Sequence, residues 1–559
     1  MKRHRRQPAP KPDVLALDMQ ELRDIIERAR KGPISEAEGE KLLVSLGSLF
    51  WMQRALQEKD VTLARLRSLF GLTTSEKTKD VLANGVDAKA TASSSALSPT
   101  ATAAVAAEPP KPIKGHGRNA AADYAGAQWI EVPYDSFTPG AACPNCPAHK
   151  RGKVYLLSEP RTLVRVVGQA PLKATVYAMQ TWRCNLCGDV FTADPPPGIG
   201  DDKYDATAAS MIALLKYGTG LPFHRLKQLQ GNLGIPLPAA TQWEIVHGAA
   251  EELAPVHQEL IQQAAQGRLL HNDDTSMQVL DLRKAIDQLE KSGETDRTGI
   301  FSSGIVSVLQ DGHRIALFIT GRKHAGENIA DLLRHRSLAL APPLQMCDGL
   351  DRNLPKEFAT VLGNCLAHGR RKFIEVLASF PDQCRLVLET LREVYHHDAI
   401  ARDRTLSHDE RLRHHQEHSG PLMARLELWM HEQIDQKQIE PNSTLGGAIA
   451  YMQKRWDNLT LFLRQAGAPL DNNICERALK KAIRNRKNAL FYKTENGARV
   501  GDLFMSLIHT AELAAVNPFD YLTVLLQNVA RARADPAQWL PWNYRATLNQ
   551  TAAPSPATA

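Results

Sequence analysis

No apolar run in this chain reaches the roughly 18–20 residues that a bilayer-spanning helix requires, so an integral helical membrane protein is not expected. Cysteine is scarce, eight in 559 residues. That argues against a disulfide framework and leaves metal binding or packing as the uses of the thiols. The first residues, MKRHRRQPAPKPD, are basic but lead into no apolar core of a secretory signal, so the expected location is cytoplasmic. Charge of one sign does not dominate either: 68 Lys and Arg against 61 Asp and Glu leave a net +7. Such a mild bias neither requires nor excludes a polyanionic partner. What is present is ordinary for globular protein, 43% apolar and 23% charged residues. The length is too great for one core and predicts several domains.

The texture along the chain divides it into six segments. Residues 1–78 read as helical, with a Ser35–Glu38 capping box. Leu42, Leu49, Leu56, Leu63 and Phe70 recur every seven residues, which suits a short coiled coil or a helical hairpin. Residues 79–115 hold the Ala/Ser/Thr/Pro stretch ATASSSALSPTATAAVAAEPPKP and read as a flexible linker. Residues 116–200 carry short β-rich runs, and residues 201–267 are helical, either contacting DNA or supporting their neighbours. In residues 268–500, RLLHNDDTSMQVLD, GIFSSGIVSVLQ and HRIALFIT read as three successive strands joined by turns. KHAGENIADLLRHR then reads as a helix and PLQMCDGL as a short strand, an α/β pattern. Within this segment, residues at about 372–468 look like a polar helical insertion. Residues 501–559 form a C-terminal helical segment and tail. The class is a multidomain α+β protein.

Two C-x-x-C pairs, Cys143/Cys146 and Cys184/Cys187, bracket the β-rich runs. Each pair can grip one tetrahedral Zn²⁺, and strands between them would bring the knuckles together as in a zinc ribbon. His149 is a possible substitute ligand and reads as a bystander. Cys347, Cys365, Cys384 and Cys475 lack such spacing and read as packing residues.

Three acids stand out by context: Asp273 in HNDDT, Asp348 in LQMCDG and Glu476 after DNNIC. Two strand-borne aspartates and a helix-borne glutamate can cradle two Mg²⁺ ions. Any one alone is more often a structural cap or strand-end acid than a catalytic group. Asp274 is as good a ligand on chemistry, but an alternating strand aims only one of the pair at a given face. Behind Glu476 come Lys480, Lys481, Arg484, Arg486 and Lys487. Lys480 and Arg484 follow Glu476 at i+4 and i+8. They suit either phosphates near a metal site or ordinary helix salt bridges. The histidines His396, His397, His408, His414, His415 and His418 crowd the insertion. His414 and His418 have a metal-compatible spacing, but without an accompanying carboxylate or cysteine pattern a polar helical face is the better reading.

These motifs together resemble the bacterial insertion-sequence transposases of the IS66 family. The resemblance rests on LRSLFGLTTSEK, GHGR with the cysteine pairs, KYGTGLPFHRLKQL, TQWEIV, NDDT, CDG, CLAHGRRKF, DNNICERALKKAIRNRKNALF and SLIHTAELAAVNPFDYLTVLL, in that order. It implies an RNase H-like catalytic core of the DDE type, with Asp273, Asp348 and Glu476 as the metal-binding acids. Mg²⁺, or Mn²⁺, would be the catalytic cofactor, and Zn²⁺ would occupy the cysteine pairs. His368, Arg370, Arg371, Lys480, Arg484, Arg486 and Lys487 would meet DNA. The implied activity is binding of terminal inverted repeats, metal-dependent strand cleavage and strand transfer into target DNA. The implied setting is a bacterial cytoplasm, nucleoid-associated when on DNA, with a homo-oligomer on double-stranded DNA, small accessory proteins of the same element and no membrane. The rival readings are an RNase H-like nuclease without strand transfer and an inactive zinc-dependent DNA-binding protein.

Overall fold

The computed structural model describes residues 202–292 and 297–552, the pieces 170–183 and 190–197, residues 138–141 and 153–155, and scattered positions between 25 and 39. The heptad positions Leu42 to Phe70, the linker 79–115 and Cys143, Cys146, Cys184 and Cys187 lie outside the described residues. The capping box lies inside them. Ser35 N donates to Glu38 Oε2 at 3.0 Å, and Glu38 N donates back to Ser35 Oγ at 3.4 Å.

The chain forms two compact units. The first comprises Met1–Ser93 and Cys365–Leu470, the second Ser94–Asn364 and Asp471–Ala559. The second unit begins, among the described strands, with β1 (Thr181–Arg183) paired antiparallel to β2 (Val190–Thr192). Helix α1 (Ala206–Ala213) runs into a π-helical turn, Leu214–Gly218, and α2 (Phe223–Asn232) and α3 (Ala239–Ala265) follow. Next come β3 (Leu269–Ser276), α4 (Leu280–Lys291), β4 (Phe301–Val308), β5 (Arg314–Gly321), α5 (Ala325–Leu333), β6 (Leu344–Cys347) and β7 (Val361–Asn364).

The helical unit then contributes α6 (Leu366–Val376), α7 (Pro381–Asp403), α8 (His408–His418), α9 (Gly420–Asp435) and α10 (Thr444–Lys454). It closes around its own apolar core, including Phe373, Leu391, Met430, Ile449 and Phe462. The chain returns to the second unit with α11 (Asn473–Ala489), α12 (Glu495–Leu513) and α13 (Pro518–Gln527), and later helices end at Ala552. Among the described residues no helix is long and apolar enough to cross a membrane.

The sheet has the order β5-β4-β3-β6-β7. Strands β3, β4 and β5 pair antiparallel, and β3, β6 and β7 pair parallel. The expected run of three strands joined by turns differs from the structure. Only β4 and β5 are joined by a turn, because α4 intervenes between β3 and β4. Its apolar residues Leu282, Ile286 and Leu289 follow a helical period, and Ile286 is fully buried. Strand β7, only four residues long, is too short to stand out in the sequence.

Strand β4 is buried along most of its length because helices cover both faces. On one side α11 presses on Gly304, where an added Cβ would lie 2.9 Å from Leu479 Cγ. On the other, Asn328 of α5 donates to Ser303 Oγ at 2.8 Å. Adjacent residues of a strand point to opposite faces, so these contacts define the two sides.

Helix α12 closes the β5 edge. Thr510 Oγ1, Ser506 Oγ and Asp502 Oδ2 accept from the backbone N–H groups of Ala316, Phe318 and Thr320 at 3.1, 3.0 and 2.7 Å. Four residues of helix rise about 6 Å, and two residues of strand advance about 6.8 Å. The i, i+4, i+8 side chains therefore keep step with every second strand residue. An edge that could template pairing with another chain is satisfied internally instead.

Candidate active site

Strand register brings the two aspartates to one level. His271 of β3 pairs with Met346 of β6. Two residues further along both chains stand Asp273, near the end of β3, and Asp348, one residue past β6. Asp273 lies opposite Gly304 of β4, so it shares the face against which α11 packs. The missing side chain at Gly304 permits that close approach, and Cys475 Sγ of α11 donates to the Gly304 carbonyl at 3.2 Å. Glu476, the next residue, lies in the first turn of α11.

Asp273 is mostly buried, and its carboxyl is pushed up to about 7. Burial is the main cause, followed by the negative charge of Asp348, with Asp274 and Glu476 adding to it. A backbone N–H from Asp274, donating to Asp273 Oδ1 at 2.8 Å, opposes the rise. Asp348 Oδ1 accepts from Asn353 Nδ2 at 2.6 Å and from Leu350 N at 3.0 Å. The three sequence-selected acids thus share one end of β3 and β6 and the start of α11. Such a concentration of negative charge is a setting for a hard divalent cation.

Asp274 points to the other face, as strand alternation requires. Its side chain is only 2% exposed, with Oδ2 at 2.8 Å from His324 Nδ1 and Oδ1 at 3.4 Å from Arg352. His324 caps α5 and Arg352 follows β6, so Asp274 ties two elements to the strand. Neither partner is signalled in the sequence, because His324 lies 50 residues from Asp274 and carries no motif.

A buried polar relay holds the acids' supports in place. Asn472, just before α11, donates from Nδ2 to the Asn272 carbonyl at 3.0 Å, and its Oδ1 lies 3.1 Å from His271 Nδ1. Asn272 Nδ2 donates to the Asn353 carbonyl at 2.8 Å, and Gln345 Nε2 donates to Asn272 Oδ1 at 2.9 Å. Asn353 in turn holds Asp348. Burial pushes His271 down to about 4, which keeps the ring neutral.

The cations of α11 divide into two groups. Arg477, Lys480, Arg484 and Lys487 are exposed, and the stem of Arg484 lies over Gly220, whose φ is +78°. Arg486 instead turns onto the end of β3. It donates to Thr275 Oγ1 at 3.1 Å, to Ser276 Oγ at 2.7 Å and to the Ser276 carbonyl. Lys481, a neighbour of these cations in sequence, is buried and pairs with Glu512 at 2.8 Å. Of the cations selected in the helical unit, Arg370 is buried and Arg371 lies 3.4 Å from His368 Nε2. Cys347, Cys365, Cys384 and Cys475 are buried and form no disulfide.

A model of the family described as "Transposase IS66 family" matches residues 203–500, a stretch that includes all three acids. Uncharacterized protein y4jD of Sinorhizobium fredii (strain NBRC 101917 / NGR234) is 27% identical over 426 residues, covering 72% of this chain and 78% of that protein. Uncharacterized protein y4qI of the same strain is 25% identical over 347 residues, 60% of this chain and 61% of y4qI. A third, y4hP, is 30% identical over 194 residues, covering 32% and 35% of the two chains. The family match makes a transposase role, with DNA as partner, the reading that the site has to serve. By that match, the chain belongs to the IS66 transposase family.

Proposed function

We propose that this protein is a DDE transposase with an RNase H-like core. It binds the terminal inverted repeats of its element, cleaves a strand to free a 3′-hydroxyl and directs that hydroxyl onto a target phosphodiester. The observation that carries this reading is the coupling of Asp273, Asp348 and Glu476 at one end of β3 and β6. The mixed sheet, antiparallel through β3 and parallel beyond it, supports the core assignment.

The donor set fits hard divalent cations. All three groups are carboxylates, and one has its pKa raised partly by the other two, so bound positive charge would relieve their repulsion. Asp273, Asp348 and Glu476 would hold Mg²⁺ or Mn²⁺, which would supply nucleophile activation and stabilisation of the leaving oxygen. The chain's own residues set up the rest. Asn353 and the Leu350 amide orient Asp348, while Asp274 N orients Asp273. Lys480 and Arg484, exposed one and two turns beyond Glu476, would receive DNA phosphates. His368, Arg370 and Arg371 are proposed as further DNA-backbone contacts.

For Cys143, Cys146, Cys184 and Cys187 we propose a Zn²⁺ site. The second pair falls in the sequence joining β1 to β2, a paired hairpin. The first falls between Ala141 and Val154, where Val154 N donates to the Ala141 carbonyl at 2.9 Å. Paired backbone thus flanks both cysteine pairs, which suits zinc knuckles. A homo-oligomer on paired DNA ends and small accessory proteins of the same element complete the proposal.

The test is Mg²⁺-dependent cleavage and strand transfer on DNA carrying the element's ends. Asp273→Asn, Asp348→Asn and Glu476→Gln should each abolish both reactions. Asp274→Asn should cleave far better than Asp273→Asn, because its carboxylate serves His324 and Arg352. Cleavage without joining would leave only the nuclease reading. Normal cleavage by Glu476→Gln would overturn the three-acid site.

A further inference from the structure

Where α11 ends, the chain makes a turn that packing does not explain. Leu490 is 65% exposed and the adjacent Phe491 45%. Single exposed apolar residues are common, but a neighbouring Leu–Phe pair keeps a large apolar surface in water. The backbone beneath the pair is strained as well. Leu490 has φ +69° and ψ −46°, and Phe491 N donates across it to the Ala489 carbonyl at 2.9 Å. This is the tight three-residue turn of positive φ, which is rare for a residue with a Cβ. Glycine would adopt the same shape freely.

The turn is held from both sides. Leu490 N donates to the Arg486 carbonyl at 2.8 Å and closes the last turn of α11. Beyond it, Tyr492 N donates to the Gln278 carbonyl, and the Tyr492 carbonyl accepts from Leu280 N, each at 2.9 Å. The buried Tyr492 hydroxyl accepts from Asn485 Nδ2 of α11. With Arg486 and Tyr492 both anchored, Leu490 and Phe491 stand out together as a fixed ridge. Strain that the surroundings impose in this way is concentrated at functional positions.

The ridge ends a row of positive charge. Every charged residue from Arg477 to Lys493 is Lys or Arg. Exposed Lys480, Arg484 and Lys487 follow Glu476 at spacings of four, four and three, which is one face of a helix, and exposed Lys493 stands just past the turn. A cationic row suits a polyanion rather than another protein surface. DNA supplies both halves of the match, phosphates for the row and stacked bases that leucine and phenylalanine can part. We infer that Leu490 and Phe491 form a wedge that inserts between stacked bases of DNA lying along α11; the course of that DNA rests on the proposed function. From Glu476 to Leu490 the helix rises about 21 Å. Nucleotides of one strand lie about 3.4 Å apart, so the opened step is about six nucleotides from the acids.

The test is the fluorescence of end-DNA duplexes carrying 2-aminopurine, placed singly at successive positions from the element's terminus, with the full chain and no added Mg²⁺. Unstacking by the wild type should brighten the probe roughly twofold or more at one step and leave the others dim. Leu490→Gly and Phe491→Ala should each abolish that rise and keep the wild-type salt slope. Leu490→Gly relieves the turn and should melt no lower than wild type, so its loss of signal cannot come from unfolding. A mismatch at the same step should tighten wild-type binding and not that of Leu490→Gly/Phe491→Ala, since only the wedge has to open the step. Bound DNA that brightens nowhere, or equally with the double variant, would overturn the wedge and leave the three-acid reading intact. Failure of the wild type to bind end DNA would overturn both.

Discussion

Asn472 reaches across from the start of α11 and donates its side-chain amide to the main-chain carbonyl of Asn272 at 3.0 Å. This hydrogen bond joins the helix that carries Glu476 to the strand that carries Asp273. Through Asn272 and Asn353 it continues to Asp348. Asn472→Ala would remove a partner from His271 and from the Asn272 carbonyl, both buried. The expected cost is about 1–3 kcal/mol, read as a lower urea midpoint with an unchanged slope. DNA cleavage should fall under conditions where the variant remains folded. Wild-type stability in Asn472→Ala would show that the relay contributes nothing to the fold.

The raised pKa of Asp273 predicts a definite pH dependence. Its ordinary value of 3.8 becomes about 7 in the fold. Between these values the native state holds a proton that the unfolded chain has released, so stability falls as pH rises from about 4 to 7. Buried Asp502, also pushed up to about 7, acts in the same direction. Metal-free Asp273→Asn should therefore lose part of this slope and unfold at a higher urea concentration than wild type at pH 8. Mg²⁺ should raise the wild-type midpoint at pH 8 and have much less effect on Asp273→Asn. The check is urea unfolding at pH 5 and 8, with and without Mg²⁺. An identical pH slope in the variant would contradict the burial argument.

The two kinds of cation on α11 should separate in DNA binding. Removing a side chain that neutralises one phosphate should reduce the log–log salt slope by roughly one unit. Lys480→Ala and Arg484→Ala should show that reduction. Arg486 is occupied by Thr275 and Ser276. Arg486→Ala should lower stability and change the slope less than either of the other two. A salt titration of end-DNA binding, paired with melting curves, distinguishes these outcomes. Unchanged slopes for both Lys480→Ala and Arg484→Ala would reduce this face to a solvated one.

The zinc proposal predicts one Zn²⁺ bound through the four cysteines and absent from Cys184→Ser. Because metal-binding energy at such a site is also folding energy, proteolysis should attack residues 116–200 first in that variant. Elemental analysis and limited digestion read the two effects independently. An unchanged zinc content in Cys184→Ser would remove these cysteines from the site.

The sequence by itself determined which acids to consider, the α/β texture around them and the kinship with IS66 transposases. Those signals are local: a helix-starting DNNICER motif, acids in or just after strands, and a motif order spread over the chain. It also pointed to the Ser35–Glu38 capping box, whose reciprocal bonds span only three residues. Only the tertiary structure shows what meets Asp273 and Asp274 on their opposite faces, because the facing of a strand depends on what packs against each side. Gly304 leaves one side open to α11, and His324 takes Asp274 on the other. Likewise, Arg486 and Lys487 are neighbours of like charge in sequence, but one docks on β3 and the other faces solvent. Helix α4 escapes sequence reading because its short amphipathic period lies between two strand signals. Which of the insertion's histidines meet is not legible there for a different reason. His397 and His414 stand on separate helices, and only the packing of α7 against α8 puts their rings 5.5 Å apart.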